Sequence, residues 1–247
     1  YIDYVIGIFM VLFGINFSVY YLMLAHRFMQ GIKNEELRTY LCVIAVSTLL
    51  IAFNIKGIYG TFSKAFRYSF FQVSSIITTT GYATADFTKW PVFSQFILVL
   101  LMFIGGCAGS TGGGIKVIRF AMLAKIALRE IRKSASHKSV VSIKLDGKTV
   151  DNETLRGVGA YFVVYMLLLG VSTLIVALDN MDMTTTVTAV ISTLNNIGPA
   201  LGTAGPAGSF ADFSVLSKIV MSIDMLAGRL ELYPILILFT KFAWKRA

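Results

Sequence analysis

The chain contains few of the residues from which disulfide frameworks and metal centres are built. It has 2 cysteines and 2 histidines among 247 residues. Cys42 and Cys107 lie far apart in apolar segments, so the sequence predicts neither a disulfide framework nor a cysteine metal site. With only His26 and His137 besides, we expect no metal chemistry, and no pattern indicates covalent catalysis or an organic cofactor.

Charged residues are scarce as well. They make up 14% of the chain, against 56% for hydrophobic residues, and the mean hydropathy is +0.74. These values are typical of a multispanning membrane protein and exclude a soluble domain of this length. The net charge of +9 could suggest a nucleic-acid partner. The basic residues lie in loops between apolar runs, however, as membrane topology requires, so we expect membrane lipid and no nucleic acid as a partner.

Apolar runs of about 20 residues predict the membrane spans, because a helix of that length crosses the hydrocarbon core. A glycine-rich break, GGCAGSTGGG, cuts the third run short before it resumes over 115–131. Two further apolar pieces, 68–78 and 184–194, are too short to cross and are predicted to be re-entrant pore helices. The predicted spans are 4–25, 37–55, 91–105, 157–178 and 213–239.

The distribution of lysine and arginine predicts the orientation of these spans. The segments 26–38, 116–156 and 240–247 hold 16 of the basic residues, whereas 56–89 and 179–212 together hold 4. The positive-inside rule therefore places the first group in the cytoplasm and both re-entrant segments on the outer side.

A short apolar helix running into a Thr-Thr-Thr-Gly-Tyr turn lies within SFFQVSSIITTTGYATAD, at 69–86. Non-helical backbone at membrane depth must be buried in protein or line a water-filled path. Glycine at such a turn lets successive carbonyls aim the same way, where they can replace the water around a cation. The stretch is predicted to be an ion-selective pore loop, and the alternative is an ordinary turn after a buried helix.

Sliding the chain along itself by 117 residues reveals an internal repeat. The shift lays Gly81 on Gly198, Ser75 on Ser192 and Phe93 on Phe210. Each unit consists of a span, a re-entrant helix, a glycine-containing turn and a returning span. The predicted units are 37–153, with its turn at 79–82 and its glycine break at 105–114, and 154–247, with its turn at 196–199.

Residues 1–36 are left over and are predicted to be the returning helix of a preceding repeat, followed by a cytoplasmic loop. The chain also begins at Tyr1 rather than at a methionine. We therefore expect it to be the C-terminal half of a longer protein. Two loops cannot close a ring of carbonyls alone, so two more must come from the missing N-terminal repeats or from another chain.

The turns TTTGY at 78–82 and NNIGP at 195–199, with the glycine break and Arg229, resemble the Trk/Ktr/HKT superfamily of potassium transporters, and most closely its bacterial TrkH membrane subunits. The resemblance covers essentially the whole chain. It implies an all-α integral membrane fold of repeated helix, re-entrant pore helix with filter loop, and helix units, as in potassium channels. It also implies four such units in one polypeptide, a homodimer in the bacterial inner membrane, and a TrkA-like cytoplasmic ring of nucleotide-binding regulatory subunits.

The resemblance further implies that the transported ion is potassium and that backbone carbonyls of the two turns form its filter. Asn195 is expected to brace the second turn by side-chain hydrogen bonds. Because the turns depart from the Thr-Val-Gly-Tyr-Gly of potassium channels, fewer ordered ion sites and a looser selectivity over sodium are expected. The predicted potassium ligands are the carbonyls of Thr79, Thr80, Gly81, Asn196, Ile197 and Gly198.

The glycine break is too flexible to stay helical, and irregular backbone within a span is costly unless it lines a cavity. We predict a movable gate just below the filter; the alternative is a kinked, closely packed helix. A phosphate-binding loop is excluded because Ile115 separates Gly114 from Lys116 and the preceding segment is a span. The predicted gate residues are Gly105, Gly106, Gly109, Ser110, Thr111, Gly112, Gly113 and Gly114.

Arg229 lies in the last predicted span, where a lone charge costs about 2.5 to 3.5 kcal/mol. The repeat aligns it with Gly112, at the level of the predicted gate. We hypothesise that it faces the pore and repels a resident cation. The alternative is a structural ion pair with Asp224 or Glu231.

Two questions stay open at this point. The basic stretch 116–156 can lie on the inner membrane surface and attract anionic lipid, dock the regulatory ring, or be a solvated flank. The whole chain is predicted to be half of a gated potassium pore. Its alternatives are a channel subunit with two pore loops that dimerises, and a membrane receptor or scaffold that does not conduct.

Overall fold

The computed structural model describes residues 1–135 and 142–230, and within them the chain is helical apart from one short β-hairpin. Single turns of 3-10 helix cover Phe87–Lys89, Ala177–Asp179 and Gly202–Ala204. The elements are α1 Ile2–Phe13, α2 Phe17–Leu24, α3 Phe28–Ile32, α4 Glu35–Tyr59, α5 Phe62–Ile77, α6 Val92–Ile104, α7 Val117–Ala135, β1 Lys144–Leu145, β2 Lys148–Thr149, α8 Asn152–Val176, α9 Met183–Leu194 and α10 Val215–Arg229.

Two helices among the described residues, α4 and α8, are long and apolar enough to cross a membrane. The predicted span 37–55 falls within α4, and 157–178 runs through the end of α8 into the 3-10 turn that follows it. The third predicted span is the 13-residue helix α6, which ends at Gly105 where the glycine break begins. Of the predicted span 213–239, the part that the structure describes is α10, and the rest lies outside the described residues.

The predicted first span, 4–25, is not one straight helix. It consists of α1 and α2, which meet at an angle of 89°. The chain turns at Gly14, whose carbonyl accepts a hydrogen bond from Cys107 N–H at 3.0 Å instead of continuing the helix. Asn16 then caps α2 by accepting from Ser18 N–H at 2.8 Å. The predicted span 4–25 is therefore a sharply bent pair of helices.

The repeat of 117 residues is visible in the helices. α4 and α8 each contain 25 residues and begin at Glu35 and Asn152, which are 117 positions apart. The re-entrant helices α5 and α9 end at Ile77 and Leu194, again 117 apart. α5 begins at Phe62, six residues before the predicted start of the first pore helix.

The core forms where α5 packs against α4 and α6. Small polar residues of α5 are fully buried there, among them Ser69, Ser74 and Ser75. Lipid is as apolar as leucine, so close approach of backbones through small residues, rather than hydrophobic burial alone, holds membrane helices together. This packing fixes the C-terminal end of α5 in the interior of the molecule.

Candidate ion-conduction site

The first turn motif leaves α5 in an unusual backbone conformation. Thr79 has a φ of +55° and Gly81 a φ of +81°. A β-branched residue with positive φ is strained, and such strain is found mainly at functional positions. The N–H of Thr80 donates to the carbonyl of Ser75 at 2.9 Å, which closes the turn against the end of the helix.

The second turn motif repeats this geometry at the end of α9. Asn196 has a φ of +57° and Gly198 a φ of +114°, at the positions equivalent to Thr79 and Gly81. The N–H of Ile197 donates to the carbonyl of Ser192 at 2.9 Å, as Thr80 does to Ser75. The two turns are therefore structural copies despite having only glycine in common at these positions.

The two turns lie face to face. A Cβ atom added to Gly81 would collide with the carbonyl oxygen of Ile197, and one added to Gly198 would lie 3.9 Å from the Cα of Gly81. Three of the predicted ligands, Gly81, Ile197 and Gly198, therefore meet at one junction, and Thr79, Thr80 and Asn196 adjoin it along the chain. The last turns of α5 and α9 carry no basic residue, so the partial negative charge of each helix end is not offset by a cation in that turn.

The glycine break is an irregular segment between α6 and α7, and it contacts the ends of both re-entrant helices. The hydroxyl of Thr79 accepts from Gly113 N–H at 2.8 Å. A Cβ added to Gly113 would collide with the carbonyl oxygen of Asn195, and one added to Gly112 would lie 3.2 Å from that of Thr78. All eight predicted gate residues thus lie in one non-helical loop next to both turns.

Arg229 reaches this loop from the end of α10. Its Nη1 donates to the carbonyl of Thr111 at 2.7 Å, next to Gly112, the residue with which the repeat aligns it. Within 1–135 and 142–230, no ion pair joins it to Asp224, whose carboxylate instead accepts from the Ser172 hydroxyl at 2.8 Å. That alternative was wrong; the other, Glu231, lies outside the described residues.

A cavity of about 350 Å³ opens between the loop and the end of α10. Its wall combines the second half of the glycine loop with two basic side chains at the loop's end, Lys116 and Arg119, and with Arg229. Lys116 donates to the carbonyl of Gly112 at 2.5 Å. Backbone carbonyls and basic side chains therefore line one cavity beside the glycine loop.

Comparison with known proteins agrees with this architecture. The sequence model of the TrkH family, described as a cation transport protein, matches residues 1–245. The chain belongs to the TrkH family. It is 35% identical over 249 aligned residues to the Trk system potassium uptake protein TrkH of Salmonella typhimurium, covering 99% of this chain and 51% of that protein. It is 34% identical to TrkG of Escherichia coli, covering 99% of this chain and 50% of that protein.

The crystal structure of the potassium transporter TrkH from Vibrio parahaemolyticus has the same fold. It superposes with a TM-score of 0.90 at 33% identity, covering 99% of this chain and 53% of that one. The predicted all-α membrane fold is confirmed by this match. The chain spans about half the length of the TrkH relatives it matches. The family is one of transport proteins, in agreement with the prediction that the chain is not an enzyme.

Several side chains that brace the turns escaped the sequence analysis. Gln72, oriented so that its amide oxygen faces donors, accepts from Thr84 N–H at 2.9 Å behind the first turn. Thr188 accepts from Leu201 N–H at 3.0 Å behind the second. About half of the residues in each of these helices are polar, so polarity alone did not distinguish Gln72 and Thr188 in the sequence.

The expected role of Asn195 is present in the structure. It is fully buried, and its Nδ2 donates to the hydroxyl of Tyr165 and to the carbonyl of Ile191, both at 2.8 Å. A buried amide is costly unless it is hydrogen-bonded, so these bonds fix the start of the second turn. Tyr165, a polar residue in the apolar helix α8, is the partner that the sequence did not reveal.

Proposed function

We propose that the full-length protein takes up potassium through a pore lined by four filter loops, of which this chain supplies two. The observation that carries the proposal is the close approach of Gly81 to the carbonyl oxygen of Ile197, which supports a common axis for the two turns. In the proposed filter, backbone carbonyls of Thr79, Thr80 and Gly81 replace water around the ion. The carbonyls of Asn196, Ile197 and Gly198 do the same from the neighbouring turn.

The relatives support potassium as the ion, because the proteins from Salmonella typhimurium and Escherichia coli are named potassium uptake proteins. They are also named as parts of a Trk system, which supports a protein partner. In the proposed assembly, the missing N-terminal repeats complete the ring of loops. A homodimer sits in the bacterial inner membrane, and a TrkA-like nucleotide-binding ring docks on its cytoplasmic face.

The glycine loop is proposed to gate this pore. Its support is the position of the loop against both turns, through Thr79 on one side and Asn195 on the other. Glycine disfavours a helix by about 1 kcal/mol relative to alanine. With six glycines in ten residues, the loop has little tendency to become helical. Movement of this loop opens or closes the path on the cytoplasmic side of the filter.

Arg229 is proposed to act on the ion through its charge. Its guanidinium is bonded to the loop at Thr111 and lines the cavity beside the turns. A fixed positive charge there disfavours a cation that pauses between the filter and the cytoplasm. Removing the charge is therefore expected to raise flux.

Rubidium uptake by the full-length protein in liposomes, with sodium as competitor, tests the proposal. We compare the wild type with Gly81→Ser and with Gly170→Ser, a control at a glycine whose Cβ would meet nothing within 4 Å. We expect rubidium uptake that sodium inhibits weakly, loss of this preference in Gly81→Ser and no change in Gly170→Ser. A folded wild type that carries no rubidium, with its cytoplasmic partner present, would contradict the proposal and favour a receptor or scaffold.

A further inference from the structure

A buried carboxylate holds the first half of the glycine loop. Glu36, in the first turn of α4, is 5% exposed, and its Oε1 accepts from the backbone N–H of Ala108 at 2.6 Å. Such charge-assisted bonds are short and about twice as strong as neutral ones. The position at a helix N-terminus also stabilises a negative charge. A residue 72 positions earlier in the chain is thus bonded to the middle of the loop.

Side-chain charges of opposite sign hold the two halves of the loop. The first half is held by the carboxylate of Glu36 through an N–H group. The second half is held by cations through carbonyls, from Lys116 to Gly112 and from Arg229 to Thr111. The loop conformation therefore depends on ionised groups from α4, from α10 and from the residue that precedes α7.

The residues next to Glu36 are bonded to the cytoplasmic hairpin. Asp146, in the turn between β1 and β2, accepts from Glu35 N–H at 2.6 Å and from Asn34 Nδ2 at 3.0 Å. The carboxylate of Glu35 pairs with Lys125 of α7. Lys125 also donates to the carbonyl of Lys144 in the hairpin at 2.8 Å.

Comparison with the second repeat indicates why Glu36 is buried. Glu153 lies 117 positions after Glu36, at the same place in the first turn of α8, and it is exposed. The second repeat has no glycine loop at the equivalent place, because residues 222–229 continue as helix α10. The glutamate is therefore buried in the repeat that contains the glycine loop, and exposed in the repeat in which the equivalent residues are helical.

We propose that Glu36 is a positioning residue of the gating loop, and that 34–36 transmits the position of the cytoplasmic hairpin and α7 to the loop. The proposal rests on the function proposed above and assigns its regulation. A partner that displaces the hairpin breaks the contacts of Asp146 with Asn34 and Glu35. Glu36 then shifts, its bond to Ala108 lengthens, and the loop is released.

Rubidium flux through the full-length protein in liposomes tests the transmission. Glu36→Ala is expected to raise basal flux about tenfold, the size expected for loss of one hydrogen bond to a charged group, with the preference for rubidium over sodium unchanged. Glu36→Gln keeps an acceptor oxygen and is expected to lie between Glu36→Ala and the wild type. Glu153→Ala is the matched control and is expected to behave as the wild type.

Asp146→Ala tests the cytoplasmic end of the connection. It is expected to raise flux, as Glu36→Ala does. The flux of the double variant is expected to exceed that of Glu36→Ala by less than twofold, because both changes release the same contact. Independent, multiplying effects of the two substitutions would contradict transmission through 34–36.

A second readout does not depend on ion flux. Cys107 is fully buried beside Ala108, so its rate of reaction with a maleimide reports release of the loop when it is the only cysteine present. Glu36→Ala is expected to speed labelling about tenfold, and Glu153→Ala to leave it unchanged. Equal labelling in the two variants would overturn the role of Glu36 even in a protein that carries no rubidium. Faster labelling without any flux would overturn the transport proposal instead.

Discussion

The two repeats of the chain share the turn at the end of the re-entrant helix but differ in the segment that follows. Both turns have a left-handed residue at the same position, Thr79 and Asn196, and a glycine two residues later. The repeats differ in the helix that follows the turn. The first breaks into the loop 105–114, whereas in the second the helix α10 continues through the positions equivalent to 105–112, as far as Arg229.

Glycine content explains the difference. The loop has six glycines in ten residues, whereas 222–231 has only Gly228. Since each glycine disfavours a helix by about 1 kcal/mol relative to alanine, the first sequence breaks and the second does not. α10 in turn contacts the second turn directly, because the carbonyl of Met225 accepts from Asn196 Nδ2 at 2.9 Å. Within the described residues, the turn is thus duplicated, whereas the irregular glycine-rich segment is present in the first repeat and is replaced by helix at 222–229 in the second.

The largest expected effect is a difference between substitutions at the two turn glycines, Gly81 and Gly198. Gly81→Ala places a Cβ against the carbonyl oxygen of Ile197 at a positive φ, whereas Gly198→Ala has the strained φ but its nearest neighbour at 3.9 Å. We expect Gly81→Ala to abolish the preference of rubidium uptake over sodium and Gly198→Ala to weaken it by less. Sodium-competed rubidium uptake measures both, and an equal loss in the two variants would contradict the asymmetric packing.

The next effect concerns the loop. Gly113→Ala collides with the carbonyl oxygen of Asn195, whereas at Gly112 the nearest atom, the carbonyl oxygen of Thr78, lies at 3.2 Å. Forcing a methyl group into a packed site costs about 1 to 3 kcal/mol. Gly113→Ala is therefore expected to lower thermal stability and to change basal rubidium flux, and Gly112→Ala to do so less. A Gly113→Ala variant with wild-type stability and flux would show that the loop does not pack here as described.

A moderate effect is expected from the charge at the end of α10. Arg229→Ala removes the bond to Thr111 and is expected to raise rubidium flux several-fold. Lys218→Ala is the control, since Lys218 is a basic residue of the same helix that donates to the carbonyl of Ala211, near the opposite end. Arg229→Lys keeps the charge and is expected to stay closer to the wild type. Higher flux in Lys218→Ala than in Arg229→Ala would refute a local role.

The smallest effect is on the start of the second re-entrant helix. Asp182 caps α9, with its carboxylate accepting from Thr185 N–H at 2.9 Å, and bonds with Thr185 hold the pKa of Asp182 below its usual value. Asp182→Ala is expected to cost about 1 kcal/mol of stability. Because the folded-state pKa is lowered, this stabilisation is present above the unfolded pKa and is lost as pH falls through the folded one.

Thermal unfolding in detergent at pH 7 and in acid measures this cap. Asp182→Asn keeps a capping oxygen without the charge and is the matched variant. We expect the difference in melting temperature between wild type and Asp182→Ala to shrink in acid. A difference that grows as pH falls would contradict the assigned sign.

Much of this fold could be predicted from local pattern. The ends of both re-entrant helices at Ile77 and Leu194 followed from apolar runs that stop at a polar turn, and the repeat followed from spacing alone. The bend between α1 and α2 could not be predicted, because 4–25 is nearly uniformly apolar and the break depends on the bond between Gly14 and Cys107.

Contacts between distant residues set the other limits. α5 begins earlier than predicted, in a first part where Arg67 pairs with Asp3 of α1 at 3.4 Å. In the sequence, Glu36 is an ordinary acidic residue at the start of a helix. Its burial could not be predicted, because it depends on a loop more than 70 residues later in the chain. Local sequence indicates where a helix ends but not which distant group its first turn will bind.

The central claim is that Gly81, Ile197 and their neighbours coordinate the transported ion, and thallium bound to crystals of the full-length protein tests it most directly. Thallium resembles potassium and scatters anomalously. The account predicts an anomalous peak between the turns 79–81 and 196–198, coordinated by their carbonyl oxygens, and its weakening in Gly81→Ser. Thallium peaks found only away from these turns would contradict it.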